Sequence, residues 1–296
     1  CQFSFIALAS FVLLADAGAA EVRSPVTAVA VIPHSELVLT GSQSGLSDSH
    51  FESQLSHIHD LSVSPDGRML AVAGGSPGEA GTVELFNLER DDAPTLKWQK
   101  TCHDDVVYSV AWSPDGRQIA TAGLDGLSCV LDAATGERIA QLAGHSRGVT
   151  SVCFVASDLL VTAGLDDSIR VWRLRETASP GESASVVSAS LVRTLSNHTS
   201  AVLALALRSS LQSEDDSTVE LPLVASISQD RTVRFWQPTI GRMVRFVRLP
   251  SVPLSCVWLR DSDRLAVSCR DGSIRLIDPE TAGVSNPIAT LKAPAL

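Results

Sequence analysis

Short runs of alternating apolar and polar residues, separated by turn residues, make up the chain from Ser24 onward. One such stretch, SPDGRMLAVAGG, begins at Ser64, and a near copy, SPDGRQIATAGL, begins at Ser113. Runs of this length, rich in β-branched residues and bounded by Gly, Pro, Asp and Ser, are typical of strands. Pro-Asp-Gly favours a turn, because proline fixes its own φ and glycine accepts a positive φ. The pattern therefore predicts an all-β chain built of hairpins.

The same order of runs recurs six times along the chain. Each copy has a strand, a turn, a second strand ending in small residues, an Asp-Gly-like turn and a third strand, and a fourth run leads to the next copy. Four strands in a repeat of about 45 residues are typical of a β-propeller blade. We predict a propeller of four-stranded antiparallel blades, six in number, with seven as the alternative. The copies begin at Ser24, Ser56, Asp105, Arg147, Ser200 and Val252.

The first copy is too short to be a complete blade. In the third copy, 20 residues separate Asp125 from His145, which is room for two strands and a turn at about 3.3 Å per residue. In the first copy the matching interval, from Ser44 to Gln54, is only 10 residues. We therefore predict that the first blade is incomplete, or that residues are missing near 45–55. How the ring closes is then open, since the first and last blades have to seal a sheet edge.

Two of the copies repeat a set of four polar residues at fixed spacing. In each, a hydroxyl residue precedes an aspartate by four positions, and a tryptophan follows that aspartate by six. Histidine can donate and accept, a carboxylate accepts, a hydroxyl does both and an indole N–H donates, so the four can satisfy one another when buried. The residues are His145, Thr162, Asp166 and Trp172 in the fourth copy and His198, Ser226, Asp230 and Trp236 in the fifth.

These two copies resemble the repeats of the WD40 family, and the resemblance implies that the four residues form a structural tetrad in each blade. The remaining copies match less well, because Leu131, Ile277 and Phe86 stand in the tryptophan position of the third, sixth and second copies. The resemblance covers residues 24–292. It implies one propeller domain, residues 21–296, that serves as a platform for protein assembly.

The first 20 residues differ from the repeats. They are apolar from Phe3 to Leu14, and small residues follow. An apolar segment of about a dozen residues before an A-x-A-like site is typical of a secretory signal peptide, whereas a membrane span needs about 20. No basic n-region precedes the apolar run, so we infer trimming upstream. We expect residues 1–20 to be a signal peptide with a truncated n-region and the protein to be periplasmic or extracellular, with a cytoplasmic location as the alternative.

Charge and cysteine content bear on the partner. The net charge is −10, and no cluster of Lys and Arg stands out in the sequence, so we expect no nucleic-acid partner. A positive or neutral protein surface fits this charge better. The six cysteines include no C-x-x-C or C-x-x-C-H spacing, which gives no support to a zinc ribbon or an attached haem. We also expect no stable membrane span once the signal peptide is removed.

No set of residues predicts a catalytic centre. The adjacent carboxylates at 104–105 and 166–167 have structural explanations, because one pair precedes a strand and the other includes a tetrad aspartate. His57 and His59 would share a face of a strand, yet no third ligand stands at a recognisable spacing for a metal. No phosphate loop, nucleophile elbow or dinucleotide fingerprint occurs. We expect no enzyme activity, no cofactor and no metal site.

Two insertions predict where a partner binds. Residues 173–190 lengthen the connection from the third to the fourth strand of the fourth blade, and residues 208–220 lengthen the connection from the first to the second strand of the fifth. In a four-stranded meander these connections lie at the same end, and loops on a rigid scaffold often bind partners. The predicted surface includes Glu176, Glu182, Glu214, Asp215 and Asp216, and the second candidate is the opposite mouth near His103, Asp104, Asp105, Arg147 and Thr199.

The resemblance and the insertions together predict a monomeric, exported scaffold that binds one or more proteins. Two alternatives stay open. One is an exported propeller that holds a redox cofactor in its central channel or assists an enzyme. The other is a cytoplasmic adaptor, which follows if residues 1–20 are not a signal peptide.

Overall fold

The computed structural model of the protein consists of strands and turns in the parts of the chain that it describes. No helix in those parts has the length and apolarity needed to cross a membrane. The described residues are 26–31, 38–42, 45–46, 53–55, 57–88, 94–177, 186–208, 221–259 and 262–290.

The strands form one sheet for each sequence repeat, and we number the sheets as blades 1 to 6 in chain order. Blade 1 consists of β1 (Val26–Val31), β2 (Val38–Ser42) and β3 (Gly45–Leu46). Blade 2 consists of β4 (Ile58–Val63), β5 (Met69–Gly74), β6 (Gly81–Asn87) and β7 (Thr95–His103). Blade 3 consists of β8 (Val107–Trp112), β9 (Gln118–Gly123), β10 (Leu127–Asp132) and β11 (Arg138–Ala143).

The second half of the chain repeats the same pattern. Blade 4 consists of β12 (Val149–Ala156), β13 (Leu159–Gly164), β14 (Ile169–Thr177) and β15 (Val186–Leu195). Blade 5 consists of β16 (Val202–Leu207), β17 (Val224–Ser228), β18 (Thr232–Gln237) and β19 (Arg242–Arg248). Blade 6 consists of β20 (Pro253–Trp258), β21 (Leu265–Cys269), β22 (Ser273–Ile277) and β23 (Ala289–Thr290).

Within each blade, every strand pairs antiparallel with the next strand along the chain, so each blade is a meander. The first strands of successive blades contact one another, which places them at the centre, with the fourth strands at the perimeter. The predicted fold, an all-β propeller of four-stranded antiparallel blades, is therefore confirmed. Blade 1 has three strands in its described part, and most of the interval from Ser44 to Gln54, on which the prediction of an incomplete blade rests, lies outside the described residues.

The two SPDGR stretches form the same turn between the first and second strands of blades 2 and 3. In blade 2, the Ser64 hydroxyl donates to the Asp66 carboxylate over 2.5 Å and accepts from the Met69 N–H over 2.9 Å. In blade 3, the Ser113 hydroxyl makes the matching bonds over 2.6 Å and 2.9 Å. Gly67 has a φ of 74°, a value that few residues other than glycine adopt easily. The repeated pentapeptide is thus a structural turn.

Apolar side chains between neighbouring blades form the core. Five buried clusters join blades 1 and 2, 2 and 3, 3 and 4, 4 and 5, and 5 and 6. In the described part of the chain, no such cluster joins blade 6 to blade 1. Hydrogen bonds reinforce the same contacts between blades, because the indole N–H of Trp112 donates to the carbonyl of Ser62 over 2.9 Å and that of Trp258 donates to the carbonyl of Ala206 over 3.0 Å.

The insertion at 173–190 differs from the expected loop. Strand β14 continues to Thr177 and β15 begins at Val186, and these two residues are paired. Most of the insertion is therefore an extended hairpin of blade 4, and only residues 178–185 lie outside the described chain. On β15, Val187, Ala189 and Leu191 alternate with Ser188 and Ser190, as in a strand, whereas Arg175, Glu176 and Thr177 at the end of β14 show no such alternation.

Candidate functional site

Blades 4 and 5 each hold a connected set of four side chains. In blade 4, His145 Nδ1 lies 2.9 Å from the Asp166 carboxylate and Nε2 lies 2.8 Å from the Thr162 hydroxyl. The indole N–H of Trp172 donates to the same hydroxyl over 2.9 Å. In blade 5, His198 Nδ1 lies 2.9 Å from the Asp230 carboxylate and Nε2 lies 2.7 Å from the Ser226 hydroxyl. The indole N–H of Trp236 donates to the same hydroxyl over 2.8 Å.

Burial and hydrogen bonding decide the charge of these tetrads. Desolvation is the largest influence on His145 and His198 and lowers the pKa of both, although the neighbouring carboxylates oppose it. Burial tends to raise the pKa of Asp166 and Asp230, but hydrogen bonds from the imidazole, a hydroxyl and a backbone N–H bring each pKa down to about 2. At neutral pH, a neutral imidazole therefore donates its Nδ1–H to an ionised carboxylate, and Nε2 accepts from the hydroxyl.

Blade 3 has three of the four side chains. His103 lies 3.0 Å from the Asp125 carboxylate and 2.7 Å from the Thr121 hydroxyl, but Leu131 has no indole to donate to that hydroxyl. Leu131 also lines a groove of about 360 Å³ between blades 2 and 3. The groove is lined by Lys100, Thr101, Cys102, His103, Asp104, Leu131, Gly136, Glu137 and Arg138.

Blade 2 replaces the tetrad with a different network that the sequence did not predict. The buried Glu84 carboxylate accepts from the Ser53 hydroxyl over 2.6 Å and from the Gln54 N–H over 3.0 Å. Desolvation raises the pKa of Glu84, although these two bonds oppose the rise. Glu84 occupies the strand position that Arg170 has in blade 4. Arg170 pairs with the tetrad residue Thr162, and Glu84 pairs with Val72, which stands at the matching position of β5. The sequence could have indicated this difference, because blade 2 has Glu84 where blade 4 has Arg170.

The tetrad carboxylates also fix the loop that enters the first strand. The Asp125 carboxylate accepts from the backbone N–H of Asp104 over 3.2 Å. The equivalent bonds join Asp166 to the N–H of Ser146 over 3.0 Å and Asp230 to the N–H of Thr199 over 3.2 Å. In three consecutive blades, the residue after the tetrad histidine is therefore held by the buried network.

Exposed side chains lie at or next to these fixed positions, since Asp104 and Thr199 directly follow a tetrad histidine and Arg147 follows the fixed Ser146. Asp104, Arg147 and Thr199 are exposed, and Asp105 is partly exposed. We call these four residues the rim surface. His103, which we predicted as part of this surface, is only 3% exposed, because both of its ring nitrogens are hydrogen-bonded inside blade 3. His103 supports the rim surface and does not contribute to its exposed face.

Two aromatic side chains lie on the first strands of blades 2 and 3. His59 and Tyr108 are the second residues of β4 and β8, and their rings meet edge to face with centroids 5.4 Å apart. Tyr108 is 37% exposed. His59 Nε2 lies 3.3 Å from the Gly75 carbonyl, and His57 Nδ1 lies 3.2 Å from the Ser76 hydroxyl. The two histidines therefore have separate partners.

The repeated geometry matches one family model. The model of the WD domain, G-beta repeat, matches residues 95–132, 136–173, 189–237 and 250–278, which add up to more than half of the chain. The chain belongs to the WD40 family. Proteins of this family typically act as protein-interaction scaffolds.

Individual relatives match parts of this WD40 chain. The WD repeat-containing protein VIP3 of Arabidopsis thaliana is 34% identical over 115 residues, which is 36% of the chain and 36% of that protein. The periodic tryptophan protein 2 homolog of Dictyostelium discoideum is 26% identical over 282 residues, 84% of the chain and 30% of that protein. The chain thus spans about a third of the length of these curated relatives.

A solved structure has the same fold. A chain in the crystal structure of a mitotic checkpoint complex superposes with a TM-score of 0.62 at 20% identity, covering 84% of this chain and 69% of that one. At this level of identity, the likeness establishes the propeller fold.

The first predicted partner surface of the WD40 domain falls largely on undescribed residues. Glu176 lies on β14, where its backbone pairs with Val187. Glu182, Glu214, Asp215 and Asp216 lie outside the described residues.

The described part of the WD40 domain brings no metal-binding cluster together. Among the described residues, no group of three or more His, Cys, Asp or Glu side chains is placed to hold a metal ion. The five described cysteines are all free, and burial raises the pKa of Cys102, Cys153 and Cys256 to about 12. A thiol with so high a pKa is protonated at neutral pH and is a poor nucleophile.

Proposed function

We propose that this WD40 domain is a non-catalytic scaffold that binds a partner protein through the rim surface. The observation that carries the proposal is the backbone bond from each tetrad carboxylate to the residue after the tetrad histidine, in blades 3, 4 and 5. These bonds hold the rim in one conformation, so little backbone entropy is lost when a partner binds. The family supports a binding role, because WD40 domains typically serve as interaction scaffolds.

The side chains of the rim surface suit a polar partner. Asp104 and Arg147 place opposite charges on neighbouring blades, and Thr199 adds a hydroxyl on the next blade. The Arg147 guanidinium donates to the Leu165 carbonyl over 3.0 Å, which limits its mobility. Tyr108 adds an exposed aromatic surface on the first strand of blade 3, and aromatic side chains are common at the centre of protein interfaces.

Affinity capture with matched variants tests this proposal. The double variant Asp104→Lys/Arg147→Glu reverses both rim charges without changing the net charge. The control, Arg117→Glu/Glu137→Lys, reverses two exposed charges in the turns at the opposite end of blade 3. We expect partners captured by the unchanged protein to be lost by the rim variant and kept by the control. Both variants should keep the melting temperature of the unchanged protein. Loss of the captured partners by both variants, or retention of the partners by both, would then contradict the proposal.

We also propose that residues 1–20 direct export. The support is the apolar run from Phe3 to Leu14 followed by small residues. Sequencing the amino terminus of the mature protein tests the proposal, and we expect it to begin near residue 21. A mature protein that keeps the apolar run would favour the cytoplasmic adaptor.

A further inference from the structure

The outer strand of blade 5 is an exposed edge with an unusual composition. β19 (Arg242–Arg248) is the last strand in the order of its sheet, so one side of its backbone faces away from the blade. Phe246 is 55% exposed and Val244 is 38% exposed. Arg242, Arg245 and Arg248 are also exposed. An open strand edge is a template for pairing with another chain.

The charge of this strand is opposite to that of the whole protein. The net charge is −10, yet Asp230 is the single acidic residue between 221 and 259, a continuous described segment. Asp230 is already bound to His198. Within the described residues, no carboxylate forms an ion pair with Arg242, Arg245 or Arg248. The sequence RMVRFVR is thus a basic cluster, which corrects the expectation that no cluster of Lys and Arg stands out.

An aromatic contact places a further cation on the same surface. The Arg234 guanidinium carbon lies 5.6 Å from the centre of the Phe246 ring, within the range of a cation–π contact. Phe246 and Arg248 point to the face of the blade that carries Arg234, since they pair with Arg234 and Thr232. At the other end of the strand, Arg193 of blade 4 donates to the Thr239 carbonyl over 3.4 Å. Cations therefore lie along the whole strand, around an exposed aromatic ring.

The other outer strands lack this combination. On β7, Lys97 and Trp98 both donate to the Ala133 carbonyl of blade 3, over 3.4 and 3.1 Å, so the neighbouring blade occupies their polar atoms. On β11, Arg138 follows Glu137, which offsets its charge. The described β23 contains only Ala289–Thr290. On β15, Leu191 and Val192 are exposed, but Arg193 is the single cation of that strand. Among the described outer strands, only β19 therefore combines three exposed arginines with an exposed aromatic ring.

We propose that β19 binds an extended acidic segment of a partner protein, which pairs with the strand edge as a fifth strand of blade 5. Backbone hydrogen bonds would hold the segment, carboxylates would pair with Arg242, Arg245 and Arg248, and an apolar side chain would cover Phe246. This inference rests on the proposed scaffold role, but it uses the perimeter of the propeller, away from the rim surface.

The test uses a labelled peptide of about eight residues, the length of an ordinary strand, with alternating Glu and Val. Fluorescence anisotropy measures its binding to the full chain at about 50 mM and about 500 mM NaCl. We expect saturable binding that weakens at the higher salt, because exposed ion pairs are screened. A matched peptide with Lys in place of Glu should not bind. A third peptide, N-methylated at every amide, should bind at least about tenfold more weakly, because neither of its edges can donate backbone hydrogen bonds to β19.

Two triple variants distinguish the effect of the β19 arginines from the effect of the net charge of the protein. Arg242→Glu/Arg245→Glu/Arg248→Glu should weaken binding by about tenfold or more, since three exposed attractions become repulsions. The control Arg68→Glu/Arg117→Glu/Arg264→Glu makes the same change in net charge at exposed arginines elsewhere, and it should bind as the unchanged protein does.

Several results would overturn the inference. Equal weakening by both triple variants would show that only overall charge matters, and equal binding of the N-methylated peptide would exclude strand pairing. If the acidic peptide does not bind and the β19 variant self-associates, the arginines serve only to keep the edge from aggregating. Tighter binding after deletion of residues 209–220 would identify this acidic segment of the chain itself as the occupant. The rim variant Asp104→Lys/Arg147→Glu should bind the peptide normally, so failure of the rim proposal is distinguishable.

Discussion

At the scale of single residues, the hydroxyl of Ser226 links two parts of blade 5. It accepts from the Trp236 indole over 2.8 Å and lies 2.7 Å from His198 Nε2, to which its O–H donates. All three side chains are buried, so loss of one bond leaves a polar atom without a partner in an apolar surrounding.

We expect Trp236→Phe to lower the free energy of unfolding by about 1 to 3 kcal/mol, because the ring is nearly retained while the bond to Ser226 is lost. Urea denaturation measures the change. In blade 3 the hydroxyl of Thr121 already lacks an indole partner, so Leu131→Phe is the control that removes no such bond. Trp236→Phe with unchanged stability would show that the indole bond contributes nothing to the blade.

The turn after the tetrad aspartate carries strain in two blades. Asp167 and Arg231 both have a φ of 63°, whereas blades 3 and 6 have Gly126 and Gly272 at the same position. Positive φ is costly for residues with a Cβ and costs glycine little.

We therefore expect Asp167→Gly to raise the free energy of unfolding by about 0.5 to 1 kcal/mol. Thermal denaturation followed by circular dichroism measures the shift. The reverse change in blade 3, Gly126→Asp, should lower stability by a similar amount. A loss of stability in Asp167→Gly would mean that the Asp167 side chain makes a contribution larger than the strain.

At the scale of strands, the contact between β4 and β8 includes a buried carboxylate. Asp60 is 4% exposed and accepts from the backbone N–H groups of Leu61 and Val110, both over 2.9 Å. Burial raises the pKa of Asp60 to about 7, although these bonds and one from Ser109 oppose the rise. In blade 4 the equivalent position is Ser151, whose hydroxyl accepts from the Leu205 N–H over 3.1 Å.

The variant Asp60→Ser should change how stability depends on pH. The folded pKa lies above the unfolded value of about 3.9, so the native state binds the proton more tightly and stability falls as pH rises from about 4 to about 7. Relative to Asp60→Ser, the free energy of unfolding of the unchanged protein should fall by about a few kcal/mol over this pH range and should not fall further at higher pH. Urea denaturation from pH 4 to 8 measures this. A constant difference between the two proteins would contradict the raised pKa.

The strands also show what sequence patterns can predict. The SPDGR turns and the tetrad spacing are local, so they were visible in the sequence and they appear in the structure at the expected strand junctions. The long β14–β15 hairpin was missed, because the pattern of alternation does not distinguish a protruding strand from a polar loop. The burial of His103, which we expected at the partner surface, was also missed.

At the scale of the whole molecule, the blades form a continuous series joined by five apolar clusters. The number and order of the sheets follow from counting repeats, but contacts between blades depend on which strands become neighbours in space. The basic edge of blade 5 shows the same limit. Its arginines were overlooked in the sequence because their exposure, and the absence of an ion pair to any described carboxylate, emerge only when the strand is placed at the perimeter.

The central claim is that this WD40 domain binds a partner protein through its rim surface. Hydrogen exchange of the chain, alone and with its captured partner, tests it most directly. We predict slower exchange on binding at the amides of residues 103–107, 145–149 and 198–202, with no change in the opposite turns at 64–69 and 113–118. Slower exchange at the opposite turns, with the three rim segments unchanged, would contradict the claim.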